Sequence, residues 1–398
     1  MDISQEDSLR LNVMLRQKLR AIRIDESAMC VHARGERGEV KVRLNPTCND
    51  QKYLRWVKEL ISTFVLGTPG GYPVYLKRWT RMGQMRDESL QGLLLLGEPE
   101  AVVAVAHAPG LTVEIARDAW WIMPSAEVAR KMLQNQQVAQ SEFASELGAF
   151  LVEFLPFEED PQAMVDTVRL ILQANLVDAE TRASLWRKGG RKSAIVVGFL
   201  AAIPDDLPDS QAHYPADEPP NRTEQSPIID DSTADQEKLD LQSDWYSNQL
   251  RRCQGAAGQR FLSTLSSAVG KLNNPDVAIA LFEAIPAYFR VPPCGNIDEI
   301  RDIKTLEQQV EVCLQQTHSH WQSLGKDQEA KIKAILTLAL VSEYLLIPIF
   351  AQTDAVGSVM RKKIRHVTDY LILVIKTLLC NNKSLDHDVS ALDKSSPS

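Results

Sequence analysis

Lys77-Arg78-Trp79-Thr80-Arg81 places three cations around an indole, and Tyr72 lies shortly before them in the same segment. Arginine offers a planar fork of donors to phosphate, and an indole offers a wide π face to a base, so this run could hold nucleic acid or another anion. The plainer reading has Trp79 filling a domain boundary while the cations reach solvent or the carboxylates that follow. Short basic runs are common and nonspecific, so the plainer reading is preferred. A second cluster, Arg187, Lys188, Arg191 and Lys192, surrounds Gly189-Gly190 and could hold phosphate or an acidic peptide. It lacks the G-x-x-x-x-G-K-[ST] spacing of a phosphate-cradling loop and no strand precedes it, so a solvated helix end is preferred. Gly67 to Gly71 fails the same test.

The remaining reactive side chains form no recognisable centre. Cys294, Cys313, His318 and His320 are the nearest approach to a metal set, yet two histidines separated by one residue point to different sides of a helix. His107 reads as a helix-end histidine, and no serine, cysteine or aspartate stands in a nucleophile motif. No catalytic residue, cofactor or metal is expected. The six cysteines, at 30, 48, 253, 294, 313 and 380, are scattered as reduced cytosolic thiols are.

The stretch LGTPGGYPVYLKRWTRMGQMRDESL, continued by LLLLGEPEAVVAV, LVEFLPFE and LWRKGGRKSAIVVGFL, resembles the DsrS family. These are soluble accessory proteins encoded with the dissimilatory sulfite reductase system of sulfur-oxidising bacteria. The resemblance covers roughly the first half of the chain, up to Leu207. The family has no established catalytic residue or cofactor, so no site is carried over to a position here. What it implies is a process, the cytoplasmic oxidation of stored sulfur, in an auxiliary or regulatory role.

The elements that must position these residues are mostly helical. Pro69-Gly70-Gly71 is turn chemistry, and Tyr72 to Leu76 reads as an extended piece. Before it, a short helix from Asp7 to Leu19 precedes alternating strands at Ala21–Ile24 and Glu39–Leu44. Met29 to His32 extends the first strand, and Gly35 to Gly38 turns the chain. Asn49 or Asp50 can cap a helix carrying Tyr53, Leu54, Val57, Leu60 and Ile61. From Glu88 the pattern is helix, break, helix, with Thr112, Ser125, Asp160 and Asp178 placed to cap, and in the C-terminal part the helix from Asp276 to Phe289 is expected to be interrupted at Pro286. The chain is therefore expected to be mainly α. Its parts are a small N-terminal α+β unit (1–87), a HEAT-like helical array or bundle packed on it (88–203), a disordered acidic Pro-rich linker (204–240), a C-terminal helical bundle (241–382) and a disordered tail (383–398).

Charge divides the chain further. Residues 1–86 hold 16 Lys and Arg against 9 Asp and Glu, residues 87–200 hold 9 against 16, and residues 201–245 hold 2 against 12, within a net charge of −8. The overall field repels phosphate, so nonspecific binding of DNA by the whole chain is not expected. Met1 to Asp7 lacks the basic and apolar regions of a secretory signal, which points to the cytoplasm. The apolar run from Ala334 to Phe350 comes near spanning length, but Glu343 and Pro348 interrupt it. A buried core helix is preferred over membrane contact. The resulting expectation is a noncatalytic cytoplasmic accessory protein that acts through protein partners of the sulfur-oxidation machinery. The alternative is an RNA-binding regulator that uses the basic N-terminal region.

Overall fold

The structure is a computed structural model, and it describes residues 3–73, 87–208, 245–290, 300–321, 325, 328–353 and 355–380. It is mainly helical, with one small antiparallel sheet near the N-terminus. The chain divides into two compact units, residues 1–157 with 174–177, and residues 158–173 with 178–398.

The first unit starts from helix α1 (Gln5–Leu15) and strands β1 (Leu19–Asp25), β2 (Cys30–Gly35) and β3 (Gly38–Arg43), in the order β1-β2-β3. The stretch Met29 to His32 does not extend the first strand, contrary to expectation; it opens a strand of its own, after a turn in which Met29 takes φ 48°. Register pairs Ile22 with Ala33 and Ala33 with Val40, so alternate residues face one core. That core closes on Leu11, Met14 and Leu15 of α1 and on Tyr53, Leu54, Val57 and Ile61 of α2 (Asp50–Leu66). Asn49 caps α2 through its side chain.

Five helices of eight residues or more follow among the described residues: α3 (Asp87–Leu94), α4 (Pro99–Ala106), α5 (Val113–Ile122), α6 (Ala126–Gln134) and α7 (Phe143–Phe154). Thr112 and Ser125 cap α5 and α6 as their spacing indicates. Helices α3 and α5 pack on β1. Asp118 of α5, 3% exposed, anchors the contact by accepting from Arg20 at 3.3 Å and lying 3.7 Å from Arg34. Burial raises the Asp118 carboxyl above the usual carboxylate range, and the two arginines pull it back.

The second unit is built around α10 (Ser193–Ala202), whose sequence SAIVVGFLAA is apolar on every side after its first residue. Such a helix must be surrounded. It packs against α8 (Pro161–Gln173), α9 (Ala179–Gly189), α11 (Ala256–Gly270) and α12 (Pro275–Phe289). The unit is completed by α13 (Ile303–Gln316), α14 (Glu329–Leu340) and α15 (Gly357–Leu378). Residues 88–203, expected as one array, are therefore shared: α3 to α7 belong to the first unit, and α8 to α10 pack with helices of the C-terminal half.

Several boundaries differ from the sequence expectation for local reasons. Helix α12 runs unbroken through Pro286. The apolar run ending at Phe350 is not one helix: α14 stops at Leu340, and the chain bends by 82° into Glu343–Phe350. Pro348 is accommodated there in the first turn of Ile347–Phe350. Residues 204–208 are held instead of free, because Asp205 pairs with Arg252, Asp206 pairs with Arg182, and Leu207 is buried. The rest of the expected acidic linker and the tail from 383 lie outside the described residues. Among the described residues, no single helix is long and apolar enough to cross a membrane.

Candidate functional site

Helix α9 ends in the sequence Trp186-Arg187-Lys188-Gly189, and α10 begins three residues after Gly190. The apolar sequence of α10 draws it into the core, which leaves the intervening cationic turn at the surface. Gly189 is buried at this corner, where a Cβ would approach Val196 Cγ2 to 3.0 Å. Glycine thus lets the turn fold tightly onto the first turn of α10.

A cleft of about 630 Å³ opens between this turn and α11. One side carries Trp186, Arg187, Arg191 and Ser193; the other carries Ser263, Thr264, Ser267 and Lys271. The indole of Trp186 is set edge-on against Phe199, 5.0 Å between centroids and 64° between planes, and Phe199 is fully buried. Lys192 occupies the N-cap position of α10 without a side-chain cap. The Ile195 amide donates to the Lys192 carbonyl, and the first turn of α10, with the positive end of the helix dipole, borders the cleft through Ser193 and Val196.

Two kinds of cation stand in this part of the unit. Arg182 donates to Asp206 at 2.8 Å, and Arg252 donates through Nε to Asp205 at 3.0 Å while its guanidinium lies 3.8 Å from the centroid of Tyr288. These are structural cations. Arg187, Arg191 and Lys271, by contrast, pair with no carboxylate among the described residues. These three cations and four hydroxyls line one opening, and the described lining holds no carboxylate, imidazole or thiol. The arrangement can bind an anion; it offers no acid–base pair.

Of the residues singled out in the sequence, Arg187 and Arg191 line the cleft, and Lys188 and Lys192 are exposed on the same turn. Tyr72 belongs to the first unit and is half-buried. It does not begin an extended piece, because residues 71–73 are helical. Glu98, at the N-terminal cap of α4, holds this turn by accepting from the Tyr72 amide at 2.8 Å, and the Gly71 amide donates to Ser62 Oγ at 2.8 Å. Gly71 has φ 57°, and a Cβ there would meet Glu98 Oε1 at 2.0 Å, so this position admits only glycine without rearrangement. Lys77, Arg78, Trp79 and Arg81 lie outside the described residues.

Ser263, Thr264, Ser267 and Lys271 were missed from the sequence. A signal was present: Ser263, Ser267 and Lys271 recur at steps of four and so share one face of α11. The basic N-terminal region also acquires order. Arg23, His32 and Lys41 are cross-strand neighbours on the sheet, and Arg16, Lys18 and Arg37 line a pocket of about 320 Å³ beside the β2–β3 turn. Part of this charge is engaged, since Arg23 lies 4.9 Å from the centroid of Trp121 and Lys18 lies 3.7 Å from Glu36.

The four residues weighed as a metal set are described only in part. Cys313 is buried, His318 stacks edge-on against Trp321, Cys294 lies outside the described residues, and no group of three or more His, Cys, Asp or Glu among the described residues could hold a metal. No protein-family model, curated protein or solved structure matches this chain.

Proposed function

We propose that this protein is a noncatalytic accessory protein that works by binding, with the cationic cleft of its second unit as the site where an anionic ligand controls its contacts with other proteins. The observation that carries this reading is that Arg187, Arg191 and Lys271, which pair with no carboxylate among the described residues, line one opening with four hydroxyls. Cations gathered on one opening, with no carboxylate partner among the described residues, favour an anion there. The resemblance of residues up to Leu207 to the DsrS family supports placing the role in the cytoplasmic oxidation of stored sulfur, with components of that machinery as partners.

The test is affinity capture of the tagged chain from cells oxidising sulfur, with and without nuclease, using the natural sequence and an Arg187→Gln/Arg191→Gln/Lys271→Gln variant. A sulfur-oxidation protein retained after nuclease and changed in amount by the variant is the expected result. Capture that is the same for both chains removes the cleft from the proposal, and turnover of a sulfur substrate by the purified protein overturns the noncatalytic role.

The cross-strand row Arg23, His32 and Lys41, with the Arg16, Lys18 and Arg37 pocket, favours RNA as the second reading. In that case the nuclease-treated half loses its partners, and RNA affinity falls steeply with salt.

A further inference from the structure

We infer that the ligand of the cleft is a small phosphate ester of nucleotide size, bound with its phosphate at the Gly189–Ser193 corner and its organic body along Trp186 and α11. This rests on the reading of the cleft as a binding site and names its ligand.

The donor set points to a tetrahedral dianion. Arg187 and Arg191 each present a guanidinium fork, Lys271 adds an ammonium from the opposite wall, and Ser193 adds a hydroxyl at the start of α10. The first turn of α10, a ten-residue helix with no side-chain cap from Lys192, borders the same corner through Ser193 and Val196. A carboxylate has two oxygens and one charge, too few to engage this many donors at once. A terminal phosphate has three oxygens and close to two charges, and helix N-termini and arginine forks suit it.

The volume points to an ester. At about 630 Å³ the cleft is far larger than a bare oxyanion needs and falls in the range of small-molecule sites. Beyond the cationic corner its lining changes character. Trp186, braced by the buried Phe199, offers indole surface, Val196 and Ala268 offer apolar surface, and Ser263, Thr264 and Ser267 run along α11 as hydrogen-bonding groups for hydroxyls. A charged corner followed by an aromatic and hydroxyl-bearing wall matches a phosphate joined to a sugar and a flat ring.

The experiment is calorimetric titration of the full-length protein with adenosine monophosphate, ribose 5-phosphate, adenosine, inorganic phosphate, sulfate and a phosphoserine peptide. Saturable one-to-one binding of the monophosphate is expected, tighter than that of adenosine, phosphate or sulfate. Arg191→Gln and Lys271→Gln are each expected to weaken it by about 10- to 100-fold, as loss of a charge-assisted hydrogen bond does. Arg365→Gln, an exposed cation of α15 paired with Asp369 and outside the cleft lining, should leave it unchanged. Both cleft substitutions are at exposed side chains, and unchanged thermal unfolding confirms that they fold.

Absence of saturable binding by any free ester overturns the inference. So does binding that ignores both cleft substitutions, adenosine binding as tightly as its monophosphate, or the phosphopeptide binding tighter than every free ester. If titration fails while cleft-dependent protein capture succeeds, only the ligand class falls; if both fail, the cleft itself is discarded as the site.

Discussion

Asp7 is the most demanding residue in the first unit, because its carboxylate is fully buried. Its Oδ2 accepts from the Asn45 amide at 2.7 Å and from the Tyr53 hydroxyl at 2.5 Å. Tyr53→Phe removes one of these donors without changing shape. A loss of about 1–3 kcal/mol is expected, read as a lower midpoint in denaturant with an unchanged slope. Thiol reactivity separates the cysteines in the same way. Burial pushes the Cys253 thiol up to about 12, only partly offset by Arg252, whereas Cys380 is exposed. A disulfide reagent at pH 8 should label Cys380 rapidly in the native protein and Cys253 only on unfolding. His32 has the opposite sign of shift: burial first, then Arg23 and Lys41, hold its imidazole below the usual histidine value. The native state then binds fewer protons than the unfolded chain as pH falls below about 6.5. Stability is therefore retained above that pH and declines below it, and His32→Gln should flatten the decline in thermal melts at graded pH.

At the scale of elements, two glycines in helices make opposite predictions. Gly198 of α10 faces α8 so closely that an added Cβ would lie 2.6 Å from Val168 Cβ and 2.7 Å from its Cγ1. Gly198→Ala forces apart the helix pair at the centre of the second unit and should cost about 1–3 kcal/mol or more. At Gly92 of α3, by contrast, an added Cβ would meet nothing within 4 Å among the described residues. Alanine there should stabilise by about 0.5–1 kcal/mol through helix propensity. Thermal unfolding of the two variants checks both signs. These elements were legible in the sequence where chemistry is local. Asn49, Thr112, Ser125 and Asp178 stand as caps because a cap needs only its own side chain and an amide two or three residues on. Pro286 was misleading because its breaking tendency was overridden by the burial of Phe282, Ile285 and Phe289 around it.

At the scale of the whole molecule, the division into units does not follow the composition of the chain. Residues 204–240 stand out as acidic and proline-rich, yet α8 to α10 before that segment share a core with α11 and α12 after it. A fragment ending at residue 203 should therefore leave α10 without two of its neighbours, exposing Val197, Phe199 and Leu200, which are at most 1% exposed in the full chain. Strong binding of a hydrophobic dye and loss of a single elution peak are expected; a monomeric, dye-free fragment would show that α8 to α10 fold with the N-terminal half. Only part of the candidate site was legible on this scale. Arg187, Lys188, Arg191 and Lys192 stand together in the chain, so their charge is visible at once.

Local chemistry along the chain is enough to specify the helical class, the β2–β3 turn at Gly35 to Gly38, the caps, the amphipathic stripes and the cationic turn after Trp186. Each depends on residues within a few positions of one another. That α11 lies across from the cationic turn, bringing Ser263, Thr264, Ser267 and Lys271 to Arg187 and Arg191, follows only from long-range packing. The physical reason is that apolar burial is non-directional: the sequence of α10 demands partners on all sides without stating which helices supply them. Only the packing of α11 against α10 in the folded unit makes a cleft of the turn.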